Sequence, residues 1–222
     1  MSERKVIPRS AIIAGATGLV GSHLLELLLA DNQYEQIYVL TRRALDIQNS
    51  KMVPIVVEHH STLATQLQHI QADVAFCCIG TTMKNAGSKE KFYEIDFTYP
   101  YEFAKIALQN HSKAFFLVSA LGADKGSMFY YNRVKGEIET AIRGMGFFSV
   151  HIFRPSLLLG KRREQRTGED LGKIFDSLFS FFIPAKYKGI HASKVAKAMQ
   201  HYAKQLVIGN YIHSSAAMQR FE

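Results

Sequence analysis

Six short apolar segments recur along the chain, separated by stretches of helical length and composition. They lie near residues 11–14, 37–40, 53–57, 73–79, 114–119 and 148–153. Strands that alternate with helices are typical of parallel βαβ units. Some segments, such as Ala114–Val118, are apolar at every position, which requires cover on both faces of the sheet. The sequence therefore predicts an α/β fold with a doubly wound parallel sheet.

The length and composition of the chain favour one globular domain. With 222 residues, of which 47% are hydrophobic, the chain can bury a full core, and no linker-like or repetitive segment interrupts it. We expect a single domain over residues 1–222, with a small C-terminal extension over about residues 156–222 that covers the substrate side.

The charge and hydropathy patterns restrict the partners and the location. The formal net charge of +8 is spread along the chain without a nucleic-acid-binding motif, so no nucleic-acid partner is expected, whereas a protein partner and the oligomeric state stay open. No apolar segment approaches the ~20 residues of a membrane span, and the first residues contain no apolar signal core. These observations predict a cytoplasmic protein without an integral membrane segment.

A glycine-rich turn joins the first predicted strand to the first predicted helix. The letters GATGLVG, from Gly15 to Gly21, directly follow Ile12-Ile13-Ala14. Glycines are needed where the backbone takes a positive φ, approaches a phosphate, or packs a helix against a strand. Because free N–H groups and the positive helix end would face an anion, the turn predicts a dinucleotide pyrophosphate site and a Rossmann sheet. Glycines at such turns are also often only structural.

Two arginines follow the second predicted strand. Thr41-Arg42-Arg43 occupies the place where an NAD site usually carries a carboxylate for the ribose 2′-hydroxyl, and none of the three positions holds one. A guanidinium can bind a 2′-phosphate and stack on adenine. NADP(H) is therefore the expected cofactor, although a solvent-exposed loop pair explains the same residues.

The sequence contains no metal-binding pattern. Cys77 and Cys78 are neighbours on one predicted strand and point to opposite faces, which disfavours a disulfide between them or a shared metal ion. The nine histidines form neither an HExxH motif nor a site with paired cysteines. We expect two reduced core cysteines and no metal.

Tyr131 and Lys135 lie four residues apart on one predicted helix. Four residues rotate by about 400°, so the two side chains lie about 40° apart on the same face. A neighbouring ammonium favours the phenolate and brings the pKa of a phenol closer to neutral. Ser119, at the end of the fifth predicted strand, could hydrogen-bond the same substrate oxygen. Tyr130 is a competing phenol, but its fourth neighbour is Val134, so the pattern favours Tyr131 as the acid/base group.

Several longer stretches resemble one known family. They are GATGLVG, the TRR after the second strand, FCCIGTT at 76–82, SALGADKGSMFYYNRVKGEIE at 119–139 and FRPSLLLGKRREQR at 153–166. The chain resembles the short-chain dehydrogenase/reductase superfamily, in its atypical branch related to the Tat-interacting metastasis-suppressor protein. GATGLVG and the YxxxK spacing are common to the superfamily, whereas the two longest stretches are specific to the branch.

The resemblance implies roles for individual residues. The implied catalytic residues are Ser119, Tyr131 and Lys135. The implied cofactor-binding residues are Gly15, Thr17, Gly18, Leu19, Val20 and Gly21 at the pyrophosphate, Arg42 and Arg43 at the adenosine phosphate, and Ile79, Gly80, Thr81, Lys135, Pro155 and Ser156 at the nicotinamide half. Many relatives carry an NNAG segment after the fourth strand. This chain has Cys78-Ile79-Gly80-Thr81 there, so the usual structural asparagine has no obvious counterpart.

Two C-terminal segments bear on substrate access. Apolar residues at helical spacing over 171–183 predict an amphipathic helix that packs over the sheet edge, covers the substrate site, or meets a membrane surface or a partner. Residues 161–166 carry a local net charge of +3, from four basic residues and one glutamate. This basic loop would be solvated or would meet an anionic substrate.

Three functions are compatible with these observations. The favoured one is an NADP-dependent oxidoreductase that transfers a hydride to or from the carbonyl or alcohol of a small molecule, with Tyr131 as acid/base. The alternative is an NADPH-binding regulatory protein without turnover, because a member of the branch has been discussed as a regulator. A nucleotide-sugar epimerase is disfavoured, because such enzymes usually hold NAD tightly and carry a larger C-terminal domain.

Overall fold

Strands and helices alternate through the chain. The structure is a computed structural model that describes residues 7, 9–43, 48–58, 60–160, 188–204 and 206–222. The strands are β1 (Ser10–Ala14), β2 (Gln36–Thr41), β3 (Met52–Val56), β4 (Val74–Cys77), β5 (Ala114–Val118), β6 (Ser149–Arg154), β7 (Leu158–Leu159), β8 (Ile190–His191) and β9 (Gly209–Ser214). The helices are α1 (Leu19–Ala30), α2 (Leu63–Leu67), α3 (Met83–Ala86), α4 (Lys89–Tyr93), α5 (Tyr99–Gln109), α6 (Tyr130–Arg143), α7 (Ala192–Ala203) and α8 (Ser215–Met218). A 3-10 turn covers His60–Thr62, and a π-helical turn covers Glu94–Thr98.

Seven of the strands form one sheet in the order β3-β2-β1-β4-β5-β6-β9. Every neighbouring pair in it is parallel. The order reverses between β1 and β4, and in open parallel sheets ligands bind in the crevice beyond the carboxyl ends of the strands at this point. The predicted doubly wound α/β fold is confirmed. The two remaining strands, β7 and β8, pair with each other in a short ribbon.

Two core layers cover the two faces of the sheet. Successive side chains of a strand point to opposite faces. Ile13 and Phe116 accordingly belong to the layer beneath α1 and α7, whereas Ile12 and Phe115 belong to the layer beneath α2, α5 and α6. Both layers are built from fully buried apolar side chains, which explains why the strand segments read as continuous apolar runs.

The sequence pattern located the main elements of this architecture. All six predicted strands are present, and the helix expected after the glycine turn begins at Leu19. On α6, the apolar residues Val134, Ile138 and Ile142 recur at helical spacing and are fully buried, so the helix packs against the sheet with one defined face. No helix in the described ranges is long and apolar enough to cross a bilayer.

The C-terminal residues contribute a strand and a core helix that the sequence analysis did not place in the sheet and its cover. Strand β9 pairs with β6 over its whole length and forms one edge of the sheet, while α7 lies in the core layer with α1. The predicted basic loop at 161–166 and the predicted amphipathic helix at 171–183 lie outside the described residues. The role of residues 156–222 as a substrate-side cover therefore stays a prediction.

Candidate functional site

The glycine turn after β1 is packed too tightly for side chains. Gly15 has a φ of +83°, and a Cβ added there would lie 2.7 Å from the carbonyl carbon of Cys78. A Cβ on Gly21 would overlap the carbonyl oxygen of Gly15. The amide of Cys78 also donates to the carbonyl of Ala14 at 2.8 Å. The turns that follow β1 and β4 thus lie against each other at the point where the strand order reverses.

The N-terminus of α1 fits an anionic group. This helix has 12 residues, begins after Gly18, and carries neither a side-chain cap nor an acidic residue in its first turn. The first N–H groups of a helix have no partner within the helix, and they carry the positive end of its dipole. An uncapped helix start behind a glycine turn is therefore suited to a pyrophosphate, because the backbone can approach the phosphate closely.

Two arginines directly follow the carboxyl end of β2, the strand that neighbours β1 in the sheet. Both Arg42 and Arg43 are exposed, and neither pairs with a carboxylate among the described residues. Burial raises the pKa of Tyr99 to about 12, while the charge of Arg42 acts in the opposite direction. Arg42 therefore lies near the start of α5, and both guanidinium groups are available to a phosphate.

A buried ion pair lies beneath the turn that follows β4. The ammonium of Lys135 is 2.6 Å from one carboxylate oxygen of Asp96, and both side chains are almost fully buried. The other carboxylate oxygen accepts a hydrogen bond from the amide of Thr81 at 2.9 Å. A Cβ on Gly80 would lie 3.4 Å from both members of the ion pair. Asp96 thus ties α6, the π-helical turn and the β4 turn together.

The charge of Lys135 is stabilised by its neighbours. Burial by itself would lower the pKa of Lys135, but the charges of Asp96 and Tyr131 and the hydrogen bond that the ammonium donates to Asp96 outweigh it. The pKa of Lys135 therefore lies above its ordinary value. A permanent ammonium is present next to the phenol, as the spacing on the helix predicted.

The pKa of Tyr131 differs from the sequence-based expectation. Burial raises the pKa of Tyr131, the charge of Lys135 lowers it, and the charge of Asp96 raises it again. The result lies above the ordinary value of a phenol, so the expected net depression of the pKa by Lys135 is wrong for this structure. The physical reason is that burial of the phenol and the nearby charge of Asp96 together outweigh the charge of Lys135. Tyr131 is consequently protonated at neutral pH.

The structure distinguishes the two adjacent tyrosines. The hydroxyl of Tyr130 donates to the carbonyl of Lys89 at the surface, and its ring lies near the cations of Lys89 and Arg133. The rings of both tyrosines pack against the buried Phe92, at 6.0 Å for Tyr130 and 5.4 Å for Tyr131, but only the pKa of Tyr131 is shifted by the charge of Lys135. Of the two phenols, Tyr131 is the one beside the buried ammonium.

Ser119 is bound to a carboxylate rather than to Tyr131. Its hydroxyl donates to Glu139 at 2.5 Å, and Glu139 forms a fork-shaped ion pair with Arg154. The amide of Ser119 donates to the carbonyl of Phe153, which extends the pairing between β5 and β6. The structure thus brings Tyr131 and Lys135 together on α6, whereas the Ser119 hydroxyl lies in a separate buried cluster with Glu139 of α6 and Arg154 of β6.

The segment after β6 uses its side chains for structure. The hydroxyl of Ser156 donates to the carbonyl of Lys188 and is 2.9 Å from the hydroxyl of Ser215. The carbonyl of Pro155 accepts from the amide of Leu121. These contacts engage the Ser156 hydroxyl within the protein, and its expected role at the nicotinamide half stays a prediction.

The cysteines belong to the core. Cys77 is fully buried, and burial raises the pKa of its thiol to about 12. Burial also raises the pKa of Cys78. Both thiols are free, and within the described ranges no group of three or more His, Cys, Asp or Glu side chains could hold a metal ion.

Asp96 and Glu139 are the functional candidates that sequence reasoning missed. Asp96 is one carboxylate in an aromatic segment, FYEIDF, and matches no motif. Glu139 follows Lys135 by four residues and therefore lies on the same side of α6, which is the signal that could have identified it. At the β4 turn, where the sequence has no counterpart for the structural asparagine, Asp96 contacts both Lys135 and the amide of Thr81.

The fold and the glycine turn define an NAD(P)-binding Rossmann protein of the short-chain dehydrogenase/reductase type. The NAD dependent epimerase/dehydratase family matches residues 11–175, and the chain belongs to this family. The coarse function is therefore that of an oxidoreductase-type, NAD(P)-binding fold.

Named relatives and one solved structure agree with this assignment. The protein FMP52, mitochondrial, of Candida albicans is 35% identical over 206 residues, which cover 90% of this chain and 90% of the relative. The protein HTATIP2 of Rattus norvegicus is 36% identical over 180 residues, which cover 78% of this chain and 73% of the relative. These relatives confirm the resemblance to the atypical branch. The enzyme WbmH of Bordetella bronchiseptica, solved in complex with NAD+, shares the fold with a TM-score of 0.71 at 17% identity, over 93% of this chain and 76% of that chain.

The expectation of a cytoplasmic protein is wrong. The fungal relatives are named as mitochondrial proteins, which points to a mitochondrial location. The sequence argument failed because it tested only for apolar signal cores and membrane spans. Mitochondrial targeting segments are amphipathic and basic and need neither feature.

Proposed function

We propose that the chain is an NADP-dependent oxidoreductase that transfers a hydride to or from the carbonyl or alcohol of a small molecule, with Tyr131 as the acid/base group. The observation that carries the proposal is the buried Lys135–Asp96 ion pair, which lies beneath Gly80 at the point of strand reversal and next to Tyr131. A proton donor and a fixed cation in such a crevice suit the polar reaction of a carbonyl group.

The residues present fit a dinucleotide. The proposed contacts are Gly15, Thr17, Gly18, Leu19, Val20 and Gly21 for the pyrophosphate, Arg42 and Arg43 for the adenosine phosphate, and Ile79, Gly80, Thr81, Lys135, Pro155 and Ser156 for the nicotinamide half. When bound, the nicotinamide supplies or accepts the hydride. The backbone turn binds the anion, and the Asp96 contact to the Thr81 amide holds the β4 turn in place beside it.

The preference for NADP rests on the residues after β2. Two exposed arginines without a described acidic partner suit a 2′-phosphate, and a ribose 2′-hydroxyl would have no carboxylate to accept from at these positions. Fluorescence titration with NADPH and NADH tests this point. The double variant Arg42→Ala/Arg43→Ala should lose most of the preference for NADPH while its affinity for NADH changes little. Equal affinity of the unaltered protein for both cofactors would refute the preference.

Tyr131, Lys135 and Asp96 have different roles in the proposed reaction. Tyr131 carries its proton at neutral pH, as an ordinary phenol does, and would give it to a carbonyl oxygen that becomes an alkoxide. Lys135 offers a permanent positive charge that stabilises the resulting phenolate. Asp96 keeps the ammonium in position and excludes water from it by burial.

A substitution at each of the two adjacent tyrosines tests the role of Tyr131. With cofactor saturating, a panel of aldehydes and ketones is screened for oxidation of NADPH. Tyr131→Phe should abolish turnover and leave NADPH binding nearly unchanged. Tyr130→Phe is the matched control, because it removes the same hydroxyl from a surface contact with Lys89, and it should retain turnover. Equal activity of Tyr131→Phe and the unaltered protein would refute the assignment.

An NADPH-binding regulatory protein without turnover is the second candidate. It is favoured by the hydrogen bond that directs the Ser119 hydroxyl to Glu139 and by the raised pKa of Tyr131, since both differ from the expected trio. Tight NADPH binding without oxidation across a broad carbonyl panel would support this candidate over the enzyme.

A further inference from the structure

The helical segment before α5 contacts α6 at two successive turns. Phe92 on α4 packs its ring 5.4 Å from the ring of Tyr131, and the Asp96 carboxylate in the π-helical turn lies 2.6 Å from the ammonium of Lys135. The two contacts are four residues apart on both segments, so one lies above the other. Asp96 is therefore in contact with Lys135 and lies about one helical turn from Tyr131.

The ion pair beside Tyr131 is fixed in place and closed to water. The side chains of Lys135 and Asp96 are 5% and 0% exposed. The second carboxylate oxygen of Asp96 accepts a hydrogen bond from the amide of Thr81 at 2.9 Å, which ties it to the β4 turn. Because charges interact more strongly in the protein interior than in water, both members of the pair act on the neighbouring phenol.

The charges that face Tyr131 come from two elements. Among the described residues, they are Lys135 on α6 and Asp96 in the π-helical turn, and their effects on the phenol are opposite. The other groups at this place are uncharged, since α4 contributes the ring of Phe92 and β4 contributes the Cys77 thiol, whose pKa is raised to about 12. Charges at the surface of α4 and α6 act on the neighbouring tyrosine instead, and these are Glu90, Arg133 and Glu137.

We propose that Asp96 is a positioning residue that offsets the charge of Lys135 at Tyr131, so that the site keeps the phenol as an acid and works as a carbonyl reductase rather than as an alcohol dehydrogenase over the neutral pH range. The proposal rests on the proposed function and adds a direction to it. If a neutral amide held Lys135 instead, the ammonium would be free to stabilise the phenolate, which is the base that alcohol oxidation needs.

The direction follows from where the proton is needed. In reduction, Tyr131 gives its proton to the substrate oxygen while NADPH supplies the hydride to the carbonyl carbon. In oxidation, the phenolate takes the hydroxyl proton while NADP+ accepts the hydride from the carbon. Oxidation should therefore slow about tenfold for each pH unit below the pKa of Tyr131, whereas reduction keeps a constant rate there. Burial and Asp96 raise this pKa above that of an ordinary phenol, in spite of Lys135.

The test removes the carboxylate charge and follows the proton of Tyr131. The protein is labelled with carbon-13 at the phenolic carbon of tyrosine, and the Tyr131 signal is assigned by its absence from Tyr131→Phe. In Asp96→Asn the remaining charged partner of the ammonium is the phenolate. The NMR titration of Tyr131 should then move to lower pH by about one to three units, and alcohol oxidation near neutral pH should rise at least about tenfold relative to carbonyl reduction. An unchanged titration overturns the proposal.

Glu94→Gln is the matched control. Glu94 lies in the same π-helical turn as Asp96, but it pairs with Lys91 at the surface. The control removes the same charge two residues away and should leave both the Tyr131 titration and the ratio of oxidation to reduction unchanged. A shift as large as that of Asp96→Asn would show that the buried pair has no special effect, and it would overturn the proposal.

A second variant covers a folding defect. Asp96→Asn buries an ammonium without its counter-charge, whereas the double variant Asp96→Asn/Lys135→Gln buries neither charge. Since the two charges offset each other at Tyr131, removing both should move the Tyr131 titration by less than about one pH unit. A larger rise would show that the charge of Lys135 is mostly uncompensated in the unaltered protein, which overturns the proposal.

The two readouts separate this proposal from the proposed function. If the titration shifts in Asp96→Asn while the ratio of oxidation to reduction stays the same, the proposed direction is overturned and the proposed function stands. A protein that converts neither carbonyls nor alcohols fails the proposed function, and the NMR titration then supports or overturns the role of Asp96 separately.

Discussion

The proposed cofactor end and the proposed reaction end of the crevice are built from different materials. At the cofactor end, the backbone of the segment from Gly15 to Gly21 forms the proposed pyrophosphate cradle. At the reaction end, side chains from distant segments form the site, as where Asp96 reaches Lys135 and Ser119 reaches Glu139. The difference teaches that a backbone cradle depends on local spacing, whereas a side-chain network depends on how the whole sheet brings segments together.

The two buried carboxylates of the reaction end have parallel roles. Asp96 pairs with Lys135 and also accepts from the β4 turn, while Glu139 pairs with Arg154 and also accepts from Ser119. Burying a carboxylate is costly unless it is paired and hydrogen-bonded. Each carboxylate therefore fixes one group that the family resemblance assigns to catalysis.

The largest expected effect comes from breaking the reaction end at Asp96. Asp96→Asn keeps the shape but leaves the Lys135 ammonium buried without its counter-charge, and we expect a loss of about 3–5 kcal/mol in the free energy of unfolding at pH 7. Urea unfolding measures it. The pair raises the pKa of Lys135, so its stabilising contribution is full below the unfolded pKa and disappears as the pH rises through the folded pKa. The difference between the two proteins should therefore shrink at alkaline pH.

A surface ion pair provides the control for Asp96. Glu102 lies 3.9 Å from Lys105 on α5, and both side chains are partly exposed. Glu102→Gln should cost less than about 1 kcal/mol, because exposed pairs contribute little. If Asp96→Asn and Glu102→Gln lower the free energy of unfolding equally, burial does not strengthen the Lys135–Asp96 ion pair.

The cofactor end can be broken by one methyl group. In Gly21→Ala the new Cβ would collide with the backbone oxygen of Gly15, and backbone cannot move aside as a flexible side chain can. We expect a loss of about 2–3 kcal/mol in stability together with a large loss of NADPH affinity. Thermal unfolding and cofactor titration measure both.

Gly144→Ala is the matched control for the turn. Gly144 follows α6 with a φ of −86°, and the nearest atoms to an added Cβ are 3.6 Å away. This variant should change stability by no more than about 1 kcal/mol and leave cofactor binding unaltered. If Gly21→Ala binds NADPH as well as Gly144→Ala does, the turn is not the pyrophosphate site.

Acid sensitivity should originate away from both ends of the crevice. His151 and His213 are stacked between β6 and β9 with their ring nitrogens 2.9 Å apart. Burial lowers the pKa of His151 to about 3 and that of His213 to about 4. Between these values and the unfolded pKa near 6.5, the unfolded chain binds protons that the folded chain does not, so stability is full above pH 6.5 and falls as the pH is lowered.

The size of this effect can be measured between pH 7 and pH 5. Each neutral buried histidine should cost at most about 2 kcal/mol of stability at pH 5. The slope of the free energy of unfolding against pH gives the number of protons taken up on unfolding. In His151→Phe, whose new ring would stack on Phe116, this number should fall by about one. His69→Gln alters an exposed ring and should leave the slope unchanged. A slope that persists in His151→Phe would place the acid sensitivity elsewhere.

The smallest expected effect is at Ser156, where the resemblance and the observed contacts differ. Ser156→Ala removes the hydrogen bonds to the Lys188 carbonyl and to Ser215 and should cost about 1 kcal/mol of stability. NADPH affinity should change little, because the Ser156 hydroxyl already makes its contacts with Lys188 and Ser215. A large loss of affinity without a loss of stability would instead show that the hydroxyl serves the cofactor.

Prediction from the sequence succeeded where the signal was local or periodic. Because strands and helices have fixed repeats, the sequence indicated the apolar strands and the helix that begins within the glycine turn. The same repeat accounts for the buried stripe of Val134, Ile138 and Ile142 on α6. The closeness of Tyr131 and Lys135 followed from the same helical geometry. The raised pKa of Tyr131 could not be predicted, because it results from burial and from Asp96, which lies 35 positions before Tyr131 in the chain.

By itself, the sequence determined the parallel α/β architecture, the glycine cradle and the shared helix face of the phenol and the ammonium, because each depends on the conformation of one short segment. The tertiary structure alone decided that Asp96 pairs with Lys135, that Glu139 accepts a hydrogen bond from the Ser119 hydroxyl, and that the Ser156 hydroxyl donates to the Lys188 carbonyl. These contacts join segments that are far apart along the chain. A buried polar group takes whichever partner the packed sheet brings within hydrogen-bond distance, and that distance is set by the fold as a whole.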